Sequence, residues 1–211
     1  MRITKIQRIG GRRPRYGVFL DDSLAIKISE WTLGIFGLRK DDEVDKDTLE
    51  RIRSTELDAQ AKNIAINYIS YRPRSSKEVT DHLIKKGIPR DRAEEVSNQL
   101  QSSKLINDIE FAYAFVRDRL KRKSVGQILL RQQLMAKGIP TVEIDRLLEE
   151  LVSTQSQQTS AIQAVKKKLQ NSKYTRHLDD QKKRKHMLDF LLRRGFTYEI
   201  SMKAMRTTMG N

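Results

Sequence analysis

The sequence predicts a mainly α protein: three tandem three-helix repeats forming an elongated curved array, with a small N-terminal β-meander. Three observations predict it. First, Gly87, Gly138 and Gly195 carry apolar residues at matching upstream offsets. Eight residues before each stand Val79, Leu130 and Met187; four before, Leu83, Leu134 and Leu191; three before, Ile84, Met135 and Leu192. Each glycine follows a base (Lys86, Lys137, Arg194) and precedes an apolar residue and then a turn or cap residue. Second, a helix-period apolar face precedes each of these segments and a shorter one follows it. Third, alternating and β-branched runs are confined to the first 30 or so residues.

Residues 1–37 form the predicted β-rich segment. Ile3, Ile6 and Ile9 open it, and Gly10-Gly11 signals a turn. Tyr16 to Leu20 reads as a strand ended by Asp21-Asp22-Ser23. Leu24, Ile26 and Ile28 then alternate with Ala25, Lys27 and Ser29, as in a half-buried strand. Residues 1–16 hold six bases and no acid, which suits a solvated edge that discourages strand pairing as well as it suits a nucleic-acid contact. Glu30 to Gly37 is predicted as a short helix with Trp31 in the core beside Leu33, Ile35 and Phe36. Residues 38–58 are an acidic connector and helix start, net −3, with Asp47 or Thr48 as cap.

Repeat one covers residues 59–105. Ala61, Ile64, Ala65, Tyr68 and Ile69 mark its first helix, which Pro73 stops near Tyr71. Ser75 and Glu78 have capping-box spacing for its second, and Gly87 closes that helix in the left-handed conformation. Ala93, Val96 and Leu100 mark the third. Repeat two, residues 106–153, repeats the pattern with Ala112, Phe115, Val116, Arg119 and Leu120, where the stem of Arg119 can snorkel. Gly138 and then Ile144, Leu147, Leu148 and Leu151 complete it. Ser153 to Ser160 reads as a polar, flexible joint. Repeat three, residues 154–211, carries Ala161, Ala164, Val165, Lys168 and Leu169, then Gly195, then Ile200, Ala204 and Met205. Its first helix lies 49 residues after that of repeat two, but its glycine lies 57 after. Eight extra residues therefore fall around Asn171 to Asp180.

The 211 residues include 42 bases and 27 acids, a net charge of +15. A surplus of this size favours polyanions or an acidic protein surface as partners and says nothing about fold. Two segments concentrate it. Arg117 to Lys123 holds five bases and one acid, and Lys166 to Arg194 holds eleven bases and three acids. Lys166 to Lys168 and Lys182 to Lys185 flank the insertion with like charges that repel unless an anion is present. There is no cysteine, which excludes disulfides and thiolate metal sites. No apolar run reaches the roughly 20 residues that span a bilayer, and the N-terminus lacks the apolar core of a signal peptide, so the cytoplasm is expected; a monomer is expected too. His82, His177 and His186 lack partners at metal-ligand spacing, and there is neither a phosphate loop nor a nucleophile elbow. No catalytic residue, metal or cofactor is predicted; the chain reads as a binding protein.

Arg72-Pro73-Arg74-Ser75, followed by Leu83-x-x-Lys86-Gly87, resembles the RecX family of bacterial recombinase regulators. So does Asn107-Asp108-x-x-Phe111-Ala112, followed by Arg117, Arg119 and Lys123 and then Lys137-Gly138-Ile139-Pro140. The resemblance covers residues 60 to 150 well and the third repeat more loosely. Where the family carries a Gly-Pro pair, this chain has Ser124-Val125-Gly126-Gln127, a departure that bears on the turn and not on the helix. The resemblance implies a partner, the RecA filament (protein plus single-stranded DNA). It also implies an outcome: inhibition of recombination, ATPase and coprotease activities in DNA repair and the SOS response. Candidate filament- or nucleic-acid-binding residues are Arg72, Arg74, Arg117, Arg119, Lys121, Arg122, Lys123, Lys166, Lys167, Lys168, Lys182, Lys183 and Arg184. Gly87, Gly138, Gly195, Ser75 and Glu78 are assigned structural roles. The alternative is a general helical module for single- or double-stranded nucleic acid, free DNA included, without a dedicated protein partner.

Overall fold

A computed structural model describes residues 1–10, 14–122, 124–170 and 179–210. Arg12, Arg13, Lys123, His177 and most of the insertion of repeat three lie outside the described residues. Among those described, three strands precede ten helices. The strands β1 (Ile3–Ile9), β2 (Arg15–Leu20) and β3 (Ser23–Ser29) pair antiparallel in the order β1-β2-β3, the predicted meander. One detail differs. The β2–β3 register slips so that Val18 faces Ile26 while Phe19 faces Leu24. A bulge of this kind flips the alternation, so Ile28 is buried and Leu24 is 45% exposed.

The short helix α1 (Glu30–Phe36) is capped by the Ser29 hydroxyl, which accepts from the Thr32 N–H at 3.2 Å. Trp31 is not in the core: it is 58% exposed, and Ile35 is 55% exposed. The two stand four apart and share a face, and the opposite face docks through the fully buried Thr32. The anchor is Glu56 on the long helix α2 (Lys46–Ser70). Its carboxylate accepts from the Thr32 hydroxyl at 2.7 Å, the Ser29 N–H at 2.8 Å and hydroxyl at 2.9 Å, and the Arg15 guanidinium at 2.7 Å. Asp45 caps α2 by accepting from the Thr48 N–H at 2.7 Å. Asp47 and Thr48, the caps expected from sequence, lie inside the first turn. The helix stops at Ser70, before the residue preceding Pro73.

The chain forms two compact units, Met1–Arg72 with Val79–Ser103, and Pro73–Glu78 with Lys104–Asn211. In the first, the sheet and α2 enclose Ile3, Val18, Leu20, Ile28, Leu49 and Ile52. The helices α3 (Ser76–Lys85) and α4 (Arg90–Ser102) complete repeat one with α2. Arg92 on α4 reaches Asp58 at 3.3 Å and the Ser54 hydroxyl at 2.8 Å on α2, and His82 stacks on Tyr68 with ring centroids 3.8 Å apart. The second unit holds repeat two, α5 (Asp108–Arg122), α6 (Gln127–Ala136) and α7 (Thr141–Leu151), and repeat three, α8 (Thr154–Leu169), α9 (Asp180–Arg193) and α10 (Tyr198–Met209). Each repeat has its own core there, centred on Leu130, Leu134 and Leu147 or on Met187, Leu191 and Phe196.

The second helix of every repeat ends alike. Gly87, Gly138 and Gly195 have φ of +87°, +81° and +82°. The apolar residue after each glycine donates its N–H to the carbonyl five residues back: Ile88 to Leu83, Ile139 to Leu134, Phe196 to Leu191. This is the paired-bond C-terminal cap that favours glycine. Of the three apolar offsets, the eight- and four-residue ones are fully buried, while Met135 is 51% exposed and Leu192 40% exposed on the rim. Ser153 to Ser160 is not a flexible joint. Ser153 caps α8, and Gln157, 2% exposed, is part of the packing.

Candidate functional site: a basic cleft between repeats two and three

The cleft begins from a joint between repeats that occurs twice in the second unit. At the first occurrence, Gly138 presses on the start of α3, where an added Cβ would lie 2.8 Å from the Lys77 Cβ. The Ser76 N–H donates to Asp108 at 2.7 Å, and Lys137 donates to Glu78 at 2.6 Å. Ser75 and Glu78 form the reciprocal cap here, at 3.2 and 3.3 Å. At the second, Gly195 presses on the start of α6. Gly126 donates its N–H to the Arg194 carbonyl at 2.8 Å, and Ile128 to the Gly195 carbonyl at 3.0 Å. The Gln127 N–H donates to the Gln157 side chain at 2.9 Å. Gly126 replaces the expected turn with an extended residue that admits the neighbouring backbone: a Cβ there would meet the Gly195 carbonyl at 2.0 Å.

Beside this second joint opens a cleft of about 690 Å³. Five cations line it: Lys121 and Arg122 from the end of α5, Lys167 and Lys168 from the end of α8, and Arg194 just past α9. Among the described residues, no carboxylate lines it. Helix C-termini favour cations, each supplying only about half a negative charge. Phe190 organises two: the Lys168 ammonium sits 5.2 Å and the Arg194 guanidinium 4.7 Å from its ring centroid. Arg194 also donates to the Ser124 carbonyl at 2.8 Å. Arg122 has an exposed partner, Asp118, at 2.6 Å, a pairing worth little in water.

The structure thus brings Lys121, Arg122, Lys167 and Lys168 together from two segments more than 40 residues apart. It leaves other candidates outside the cleft. Arg117 lies over Tyr113 at 5.7 Å and Arg119 over Phe115 at 5.0 Å, and Lys166 is exposed on α8. Lys182 and Lys183 pair with Asp179 at 3.1 Å and Asp180 at 3.2 Å, and Arg184 donates to the Gly210 carbonyl at 3.2 Å. The Lys182 backbone and side chain hold the Asp179 carboxyl below its ordinary range. Arg72 and Arg74 precede α3 and do not line the cleft. Sequence reasoning missed Arg194 and Phe190 as cleft residues. The base before each repeat glycine was the signal available for Arg194. No helix among the described residues is long and apolar enough to cross a membrane.

Models of the first, second and third three-helix domains of RecX match residues 61–100, 107–148 and 155–205. Regulatory protein RecX of Bacillus pumilus is 32% identical over 204 residues, 97% of this chain and 76% of that protein. The protein of the same name from Lactococcus lactis is 34% identical over 188 residues, 89% of this chain and 69% of its own length. Among solved structures, a crystal structure of regulatory protein RecX aligns with a TM-score of 0.68 over 95% of this chain and 97% of that one, at 24% identity, which speaks to the fold. RecX from Lactobacillus salivarius aligns with a TM-score of 0.60 over 74% of this chain and 98% of its own, at 26% identity. Three three-helix repeats whose second helices close alike, family models over more than half of the chain and relatives above 30% identity along nearly all of it lead to one conclusion: the chain belongs to the RecX family of regulatory proteins.

Proposed function

We propose that this chain regulates the RecA recombinase by binding along the RecA nucleoprotein filament, inhibiting its recombination, ATPase and coprotease activities. Membership of the RecX family is the observation that carries the choice of partner. The physical support is the surplus of bases over acids in repeats two and three. Helices of ~12–16 residues span ~18–24 Å, and tandem helical units build extended binding surfaces. Several weak contacts along a repeating partner then gain affinity through multivalency. In this reading Arg117, Arg119, Lys121, Arg122 and Lys123 form one gripping segment, and Lys166, Lys167, Lys168, Lys182, Lys183 and Arg184 the other. Arg72 and Arg74 contribute ahead of α3.

The test reverses three bases to Glu in either segment. Helical content should stay intact by circular dichroism, while filament binding weakens sharply and strand exchange recovers. At near-physiological salt, bare single-stranded DNA should bind the parent protein far more weakly than the filament does. The second reading, a general nucleic-acid module, is favoured by the five cations that line the cleft. It predicts equal binding to bare DNA and filament, both falling steeply with salt. Equal affinity together with an unaltered RecA ATPase would sink the modulator reading.

A further inference from the structure

We propose that the cleft between repeats two and three takes the phosphodiester backbone of a single-stranded nucleic acid, and that the bound strand locks the two repeats together. The inference deepens the reading above, but it is tested without RecA. Its strongest support is the difference between two joints of one design. Adding the repeat offsets of 51 and 49 places Glu78 opposite Leu129 and Asp108 opposite Gln157. At the first joint both positions are carboxylates: Glu78 takes Lys137, and Asp108 takes the Ser76 N–H. At the second joint both are neutral, and Gln157 accepts the equivalent Gln127 N–H through its amide oxygen. The joint keeps its bond, its glycine and its preceding base, and loses its negative charge. Five cations collect at that place. Like charges facing one recess repel and raise its affinity for an anion. The first joint neutralises its base from within, whereas the second leaves that to a ligand.

The lining selects the anion. Arg122 and Arg194 offer planar forks suited to phosphate. Phe190, the aromatic residue among the described lining, already carries Lys168 and Arg194 over its ring, so it positions cations instead of stacking a base. Backbone contacts without base contacts bind strands irrespective of sequence. A recess also admits a flexible single strand more readily than the outside of a rigid duplex. The lock follows from which elements supply the charge. Lys121 and Arg122 belong to repeat two, and Lys167, Lys168 and Arg194 to repeat three. A phosphate between them replaces repulsion across the joint with attraction, and a ligand that binds only the closed joint stabilises it.

The experiment uses the full chain and a fluorescent oligothymidylate, with anisotropy read from low to rising salt. Lys121 and Lys167 are exposed, so Lys121→Gln/Lys167→Gln should retain the parent circular dichroism. Its affinity should fall about tenfold or more, and its salt slope should flatten by about 0.7 per lysine removed. Lys62→Gln, on α2, should bind like the parent. Amide exchange at Gly126 and Ile128, which donate across the joint, should slow when the oligothymidylate is added. Unchanged affinity and slope in the double variant would overturn the cleft as the site. So would poly-glutamate of equal charge or a duplex of equal length binding as tightly, each for its part of the assignment. Binding without slowed exchange at those two amides would overturn the lock. RecA ATPase inhibition, measured separately, reports on the regulatory reading alone.

Discussion

Gly87 and Gly195 have nearly the same left-handed backbone but different surroundings. An added Cβ at Gly87 would meet nothing within 4 Å, whereas at Gly195 it would lie 2.2 Å from the Leu129 nitrogen. Gly87→Ala should therefore carry only the conformational cost, on the order of 1 kcal/mol. Gly195→Ala adds overpacking against backbone and should cost about 2–4 kcal/mol. Urea denaturation of the two variants checks the ordering; equal losses would mean that the joint yields at no cost. Glu56 is the other residue on which much depends. It is 6% exposed and accepts four hydrogen bonds from three residues. Glu56→Ala removes the acidic partner of Arg15 and an acceptor of the Thr32 hydroxyl and the Ser29 N–H, and should cost about 2–3 kcal/mol. Trp31, the lone tryptophan, adjoins Thr32, so its fluorescence should report the earlier loss of α1.

Helix ends show how much of an element is written locally. The Ser75–Glu78 cap, the stop before Pro73 and the three glycine closures rest on interactions within six residues, and all were legible as spacing. The start of α2 was read two or three residues late, because Asp45 and Asp47 are equally good caps by composition and only the chain direction before the helix chooses between them. The hydroxyl and N–H of Thr48 hold the Asp45 carboxyl below its ordinary value. A depressed carboxyl stabilises the fold above its ordinary range and loses that contribution as the pH falls through the lowered value. Asp45→Ala should thus be less stable than the parent at neutral pH, and the gap should close on acidification. Thermal melts at neutral and strongly acidic pH would show it, and a gap independent of pH would remove the charge from the explanation.

At the scale of the molecule, a charge of +15 and a cleft lined by five cations imply a conflict between binding and stability. Cations kept together for a ligand repel one another while it is absent. Lys121→Gln/Lys167→Gln should therefore melt slightly above the parent at low salt. The difference should vanish as salt brings the Debye length to a few ångströms. A variant that melts below the parent at low salt would show that these lysines support the fold.

By itself the sequence determined the mainly α class, the threefold repeat, the helix closures and the N-terminal meander. Each follows from periodicity and capping, which act between residues a turn or a strand pair apart. Tertiary structure alone decided three things. Trp31 faces water because Glu56, 25 residues on, claims the opposite face of α1 through Thr32. The polar run after Ser153 folds because a buried Gln157 bonds the backbone at Val125 and Gln127, a requirement that composition conceals. Lys121, Lys167 and Arg194 share one cleft because Gly126 and Gly195 let two backbones meet. Charge along a chain is a sum, whereas the field in a cleft depends on which helix ends the packing brings together.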